Sequence, residues 1–413
     1  MLKNKPEIRF TNFKNDWVHQ SLNKVVERVI RKNKNNESKV PLTISAQYGL
    51  VDQVTYFNKQ IASTDLSNYF LLQKGDFAYN KSYSKDYPWG AIKRLDKYEE
   101  GVLSSLYIVF KPTRVHSDFL VPYYETSRWY KEVSMRATEG ARNHGLLNIS
   151  AVDFLETELS IPVDFEEQMK IGKFFKNLDD TISLHQQELE ALKQTKQGFL
   201  QKMFPKDGEN IPQFRFDEFT KPWTKIEFEK VIKLVGGATP LKENKEYWNG
   251  DIVWLSSQEI KNKYVSKGTY LVTEQAVKDN RTKVVSEGTP LIVTRSGILA
   301  KRFPISISLN EVAINQDIKA LIFDRERFDT EFLVAELKSK ELYILNNIVK
   351  TGTTVQSVNL PDLNRMNLYI PEYAEQLKIG EFFRQLDEVI ELKEKELEAL
   401  KETKKGFLQK MFI

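Results

Sequence analysis

The sequence contains no cysteine. Disulfides, thiolate metal sites and cysteine nucleophiles are excluded together, and a reducing compartment suits such a chain. Histidine is scarce: His19, His116, His144 and His185 are the four present, none at H-x-x-x-H spacing, so no metal centre is expected. The phosphate-cradling G-x-x-x-x-G-K-[ST] and G-x-G-x-x-G patterns are missing, and Gly236–Gly237 in VGGATP does not replace them. The [N/D]-P-P-[F/Y] motif with which amino-methyltransferases hold a target amine is also absent. No run approaches the roughly 20 apolar residues of a membrane span, and MLKNKPEIRF carries no apolar signal core. These absences predict a cytoplasmic protein without membrane contact, catalytic machinery or a cofactor of its own.

What is present is length and a mild charge. A chain of 413 residues exceeds one ordinary core, so two or more domains are expected, and a hydrophobic fraction of 41% suffices to fill them. Lys and Arg number 61 against 57 acids, a net charge of +4 that by itself identifies no partner. Distribution says more: RVIRKNK (28–34), residues 81–97 and RSGILAKR (295–302) are basic. One pattern imitates a nuclease, Pro361-Asp362 followed by Glu402-Thr403-Lys404. It is weak, because Gln194 stands where Glu402 recurs and E-x-K triplets arise by chance in a chain that is 29% charged.

The chain is written twice. Residues 167–204, EQMKIGKFFKNLDDTISLHQQELEALKQTKQGFLQKMF, return at 375–412 with about 26 identities in 38 positions. PEIRFTNFKNDW (6–17) likewise matches PQFRFDEFTKPW (212–223). Between these ends the halves diverge, with weak pegs at Gly75 and Gly288, at 107–110 and 320–323, at Gly140 and Gly352, and at 160–162 and 369–371. A period near 207 is too long for a solenoid, whose repeats run roughly 20–50 residues. The expected units are a first variable domain at 1–163, a helical region at 164–205, a second variable domain at 206–372 and a second helical region at 373–413.

The variable domains read as mixed α/β with short strands such as VLSSLYIVF, DIVWLS, TPLIVT and AINQDIKALIF. The constant segments read as long helices. Leu178, Ile182, His185, Leu189, Leu192, Lys196, Phe199 and Met203 step alternately by four and three, as do Leu386, Ile390, Lys393, Leu397, Leu400, Lys404, Phe407 and Met411. A 38-residue helix is a rod of roughly 57 Å. Gly172, Gly198, Gly380 and Gly406 lie near the rod ends, where a break costs least. The expected fold is α+β: two α/β domains joined by two long helices packed as an antiparallel coiled coil, with pseudo-two-fold symmetry. The alternative is that each rod packs only on its own domain.

Two related heads at a fixed separation suit duplex DNA, which repeats every 34–36 Å. Polar and basic loops between strands supply candidate contacts. In the first head these are Asn80, Lys81, Ser82, Tyr83, Ser84, Lys85, Lys93 and Arg94, then Arg136, Arg142, Asn143 and His144. In the second they are Ser256, Ser257 and Gln258, Arg295 and Ser296, Asn315 and Gln316, and Thr351, Thr353, Thr354, Gln356 and Ser357. Arg and Lys match guanine O6/N7, Asn and Gln match adenine N6/N7, and hydroxyls and Lys reach phosphates. At the offset of the Gly75/Gly288 peg, Lys81–Tyr83 fall on Thr294–Ser296. Trp17, Trp223, Phe10, Phe216 and Trp254 read as core.

The doubled EQMKIGKFF…GFLQKMF helix, GGATPLKENKEYWNGDIVWLSSQEI (236–260) and IPQFRF (211–216) together resemble the specificity (S) subunit of type I DNA restriction-modification systems, over essentially the whole chain. The resemblance implies a non-catalytic reader of double-stranded DNA. Each target-recognition domain takes one half of a split, asymmetric site, and the helix pair sets the spacer. It also implies two methyltransferase (M) subunits carrying S-adenosylmethionine for adenine-N6 methylation, and two restriction (R) subunits using ATP and Mg for cleavage. Phe174, Phe175, Phe382 and Phe383 would contact M or pack inward. Rival readings are the specificity subunit of a related combined restriction-modification enzyme, a coiled-coil scaffold with two protein-binding heads, and a stand-alone nuclease.

Overall fold

The computed structural model describes residues 4–45, 48–59, 63, 65–83, 86–137, 147–352 and 355–413. The chain forms two compact units, residues 1–186 with 395–413 and residues 187–394. The first long helix, Phe165–Lys202, begins in the first unit and ends in the second. The second, Tyr373–Lys410, runs from the second unit into the first. Among the described residues no helix is long and apolar enough to cross a membrane.

Each unit is built on an antiparallel sheet with the same strand order. In the first it is Val26–Arg28, Ile108–Pro112, Phe77–Asn80, Ala91–Arg94; in the second, Lys233–Gly236, Ile318–Ile322, Pro290–Val293, Ile305–Ser308, with Tyr264–Val265 added in parallel at the edge. The inner strands Phe77–Asn80, up to its terminal asparagine, and Pro290–Val293 are apolar without alternation because both faces are covered. A glycine at left-handed φ leads into each, Gly75 at 93° and Gly288 at 74°, so the weak sequence peg is a turn only glycine makes without strain.

The most repeated residues prove to be anchors. Glu167 is fully buried, and Arg9 donates to its two carboxylate oxygens at 2.6 and 2.7 Å while the Trp17 indole donates at 3.4 Å. In the second unit Glu375 is fully buried, Arg215 donates twice at 2.7 Å and Trp223 donates at 3.3 Å. The neighbouring glutamines do a matching task. Gln168 donates to the Pro162 carbonyl and accepts from the His116 amide; Gln376 donates to Pro371 and accepts from the Asp329 amide. The opening PxxRFxxFxxxW and the EQ pair are thus one device, made twice.

GFLQKMF is a plug. Leu200, Met203 and Phe204 lie in the core of the second unit, where Phe204 meets Phe383 and Trp223 at 5.9 Å each. Met411 and Phe412 lie in the core of the first, with Phe412 at 5.7 Å from Phe175 and 6.3 Å from Trp17. Phe175 and Phe383 are each 1% exposed, so of the two roles considered for the phenylalanine pairs these two take the inward one. Phe174 packs edge-on against Phe407 and Phe382 against Phe199.

Within each unit the two helical segments run antiparallel. In the first, Asp179 accepts from Lys404 at 2.5 Å and His185 lies 3.7 Å from Glu396; in the second, Lys196 pairs with Asp387 and Lys393 lies 3.3 Å from Glu188. Every seam position is half-buried or buried, whereas the off-seam Leu184 and Leu392 are 56% and 60% exposed. The polar interruptions of the seam therefore have acidic partners, and Lys404, also 2.6 Å from Glu125, is held above the usual lysine range: burial opposes its charge, but the two carboxylates outweigh burial.

Candidate nucleic-acid interface

In the second unit the strand ends gather most of the polar candidates onto one surface. Strands Trp248–Leu255 and Val312–Ile314 are parallel neighbours, Leu255 opposite Ile314, so Ser256 and Asn315 follow them side by side, Ser256 half-buried and Asn315 buried at 5% exposure. The Asn315 amide donates to the Leu255 carbonyl at 3.0 Å, and its side-chain oxygen accepts from the Asp317 amide at 3.1 Å. Gln316, exposed, accepts from the Thr239 hydroxyl at 2.7 Å. Asp317 carries the surface onward, its carbonyl accepting from the Thr294 amide at 2.7 Å.

Arg295 follows, exposed and bridged to Ser357; the Ser296 amide donates to the Gln356 carbonyl at 3.1 Å. Gln356 pairs with Thr351 in the hairpin Val349–Thr351 and Gln356–Val358. Ser256 is less free, since its hydroxyl donates to Glu259 at 2.7 Å. Burial alone would raise the Glu259 carboxyl, but hydrogen bonds from Ser256 and Thr269 hold it below its ordinary value. Ser257 is half-buried and Gln258 exposed.

The first unit presents the corresponding position more sparsely. The Lys81 carbonyl accepts from the Leu147 amide at 2.9 Å, as the Thr294 carbonyl accepts from Val358 at 2.8 Å. The two loops thus leave their inner strands alike. Asn80 turns its side-chain oxygen to the Ser82 amide at 3.0 Å, Lys81 donates to the Ile149 carbonyl at 3.3 Å, and Ser82 and Tyr83 are exposed.

Lys93 and Arg94 lie farther down the neighbouring strand, opposite Ala78 and Phe77, with Arg94 some 10 Å from the tip at about 3.3 Å per residue. Arg94 is committed to Asp118 at 2.6 Å and Asp96 at 2.7 Å, and Arg136 to Glu132 at 2.6 Å. Ser84, Lys85, Arg142, Asn143, His144, Thr353 and Thr354 lie outside the described residues. Of the nuclease-like residues, Asp362 pairs with Arg365 at 2.8 Å and Glu402 with Lys405 at 3.3 Å.

Thr239 and Asp317 escaped sequence reasoning. Both sit in stretches read there for something else, Thr239 in one read for the phosphate loop it lacks and for the family resemblance, Asp317 in one read as a strand.

A family model described as Type I restriction modification DNA specificity domain matches residues 32–194 and 220–402. The Type I restriction enzyme MjaIX specificity subunit of Methanocaldococcus jannaschii is 28% identical over 47% of this chain and 44% of its own length. The EcoR124I/EcoR124II specificity subunit of Escherichia coli is 31% identical over 38% of this chain and 39% of its own. The matched stretches thus span under half of each of these relatives. The solved S subunit of a type I restriction-modification system from M. genitalium is 14% identical, covers 99% of both chains and superposes with a TM-score of 0.60, which establishes a shared fold.

Proposed function

Because the chain belongs to the family of type I restriction modification DNA specificity domains, we propose that it is a non-catalytic DNA-reading subunit whose two heads each take one half of a split site. The observation that carries this reading is the doubled loop position. Lys81–Tyr83 and Thr294–Ser296 leave equivalent strands beneath equivalent backbone bonds, yet carry different polar groups. A constant frame with unlike side chains is what reading two unlike half-sites requires.

The proposed partners are double-stranded DNA, two methyltransferase subunits that bring S-adenosylmethionine to adenine N6, and two restriction subunits that bring ATP and Mg. In this partition, the domains at 1–163 and 206–372 read bases, and the helical regions at 164–205 and 373–413 set the spacer and dock the methyltransferase. Arg295, Ser296, Gln316, Gln356 and Ser357 are the contacts we assign in the second head, and Asn80, Lys81, Ser82 and Tyr83 in the first. Arg94 and Arg136, being ion-paired, serve the frame.

Mapping N6-methyladenine in cells that express the chain with its methyltransferase partner tests the reading. A bipartite asymmetric motif is expected, and Arg295→Ala should relax or weaken one half only, by roughly 10- to 100-fold for a lost base contact. A single continuous motif, or no methylation that depends on this chain, would sink it. Removing one heptad from each helix shortens a rod by roughly 10 Å, about three base-pair steps. The mapped spacer should contract by that amount with both half-sites unchanged; altered half-site bases at constant spacing would refute the spacer role.

A further inference from the structure

Beside the strand-end surface of the second unit lies a cavity of about 520 Å³, walled by Trp248, Trp254 and Tyr270 and edged by Ser256, Gln258 and Asn249. The three rings meet edge-on with centroids 5.5, 5.9 and 6.2 Å apart. Backbone fixes both indoles: Trp248 donates to the Leu241 carbonyl at 3.0 Å and Trp254 to the Ala238 carbonyl at 3.2 Å. The strand is bulged here, since Trp248 and Ile252 both face Val272, and a bulge re-aims side chains. Asn249 within it takes a left-handed φ of 63°. Tyr270, the register partner of Trp254, remains 54% exposed. The loop that holds the indoles also carries Thr239, which donates to Gln316, so the cavity opens beside the surface assigned above to the second half-site.

We propose that this cavity is a specificity subsite of the second head that takes one unstacked nucleobase from its half-site, a base other than the adenine to be methylated. The proposal rests on the DNA-reading function above. Rings pre-locked by backbone bonds offer flat apolar walls for a base face, while the exposed Gln258 side chain offers a donor and an acceptor to its edge. Lys242, which also lines the cavity, suits the phosphate that follows an extruded base. A base stacked in a duplex shows no free face, so occupancy requires extrusion. Among the described residues the first head shows no equivalent. Val102 pairs in parallel with Pro41 as Val312 does with Val253, which puts Leu42 at the place of Trp254; Leu42 in turn faces Asp52 where Trp254 faces Tyr270.

Extrusion costs least where a base is already unpaired, which supplies the test. With the half-sites known from methylation mapping, each base pair of the second half is mismatched in turn, and binding of the assembled methyltransferase complex is measured by fluorescence anisotropy. One mismatch outside the methylated adenine should tighten binding by severalfold to tenfold. Tyr270→Ala, at an exposed position, should abolish that gain, as should Trp248→Leu, while binding at the first half-site is unchanged. If every such mismatch weakens binding or leaves it unaltered, or the gain survives both substitutions, the subsite does not exist although the chain still reads DNA. Failure of the unsubstituted complex to bind its matched site would instead overturn the reading function itself.

Discussion

Glu375→Ala is expected to lower the unfolding free energy of the second unit by about 3–5 kcal/mol. The carboxylate is fully buried and is the shared acceptor for Arg215 and Trp223. Its removal strands a guanidinium whose side chain is only 11% exposed, leaving it the Lys221 carbonyl at 2.6 Å as its remaining partner. The cost arises from that abandoned charge rather than from the worth of the pair, which gives a second arm to the experiment. Arg215→Met combined with Glu375→Leu removes both charges and should recover most of the loss, except for the indole left without an acceptor. Guanidinium denaturation of the single and double variants measures both quantities. Glu167→Ala should act on the first unit to the same extent, since Arg9 and Trp17 repeat the arrangement. A single-variant loss below about 1 kcal/mol would show that solvent, not Glu375, satisfies the guanidinium.

That network marks the boundary of what was legible in the sequence. The duplication, the seam and the polar seam positions are properties of spacing, and spacing is written in the chain. Leu189 and Leu397, the central seam leucines, are 8% and 5% exposed, while Leu184 and Leu392, each five residues earlier, are 56% and 60% exposed. What spacing does not carry is the partner. Nothing near Glu375 announces that its counter-charge stands at Arg215, 160 positions earlier, because the pairing is made by tertiary approach. The seam lysines are similar: their positions were legible, but not Asp179 and Asp387, which sit beside the seam rather than in it.

The candidate interface divides along the same line. Residue type nominated Arg94 as readily as Arg295, for both are arginines in basic stretches. Only the fold separates them, placing Asp118 2.6 Å from one and leaving the other exposed beside Ser357. Trp254 was read as core and is indeed 6% exposed, yet the ring also walls a cavity, a double role that no count of apolar residues distinguishes.

The helix glycines furnish the other large effect, because two that look alike in the sequence should respond with opposite signs. An added Cβ at Gly172 would lie 2.5 Å from the Asp118 Cβ and 2.6 and 2.7 Å from its backbone carbon and oxygen. Backbone cannot rotate out of the way as a side-chain tip can, so Ala there must push the segment Ser117–Tyr123 away from the long helix. Displacement of Asp118 loosens its 2.6 Å bond from Arg94, and displacement of the adjoining His116 loosens its 2.7 Å bond to Gln168. Against this, Ala gains about 1 kcal/mol of helix propensity over Gly. Overpacking of a tight contact costs about 1–3 kcal/mol for small insertions and more as the added group grows. Gly172→Ala should therefore destabilise the first unit by up to about 2 kcal/mol net, and Gly172→Val by more, since it adds bulk and a β-branch. At Gly406, in the same unit, an added Cβ meets nothing within 4 Å, so Gly406→Ala should stabilise by about 0.5–1 kcal/mol. Denaturation midpoints of the two alanine variants decide the matter. If both move the same way, the close approach to Asp118 is not what keeps Gly172 a glycine.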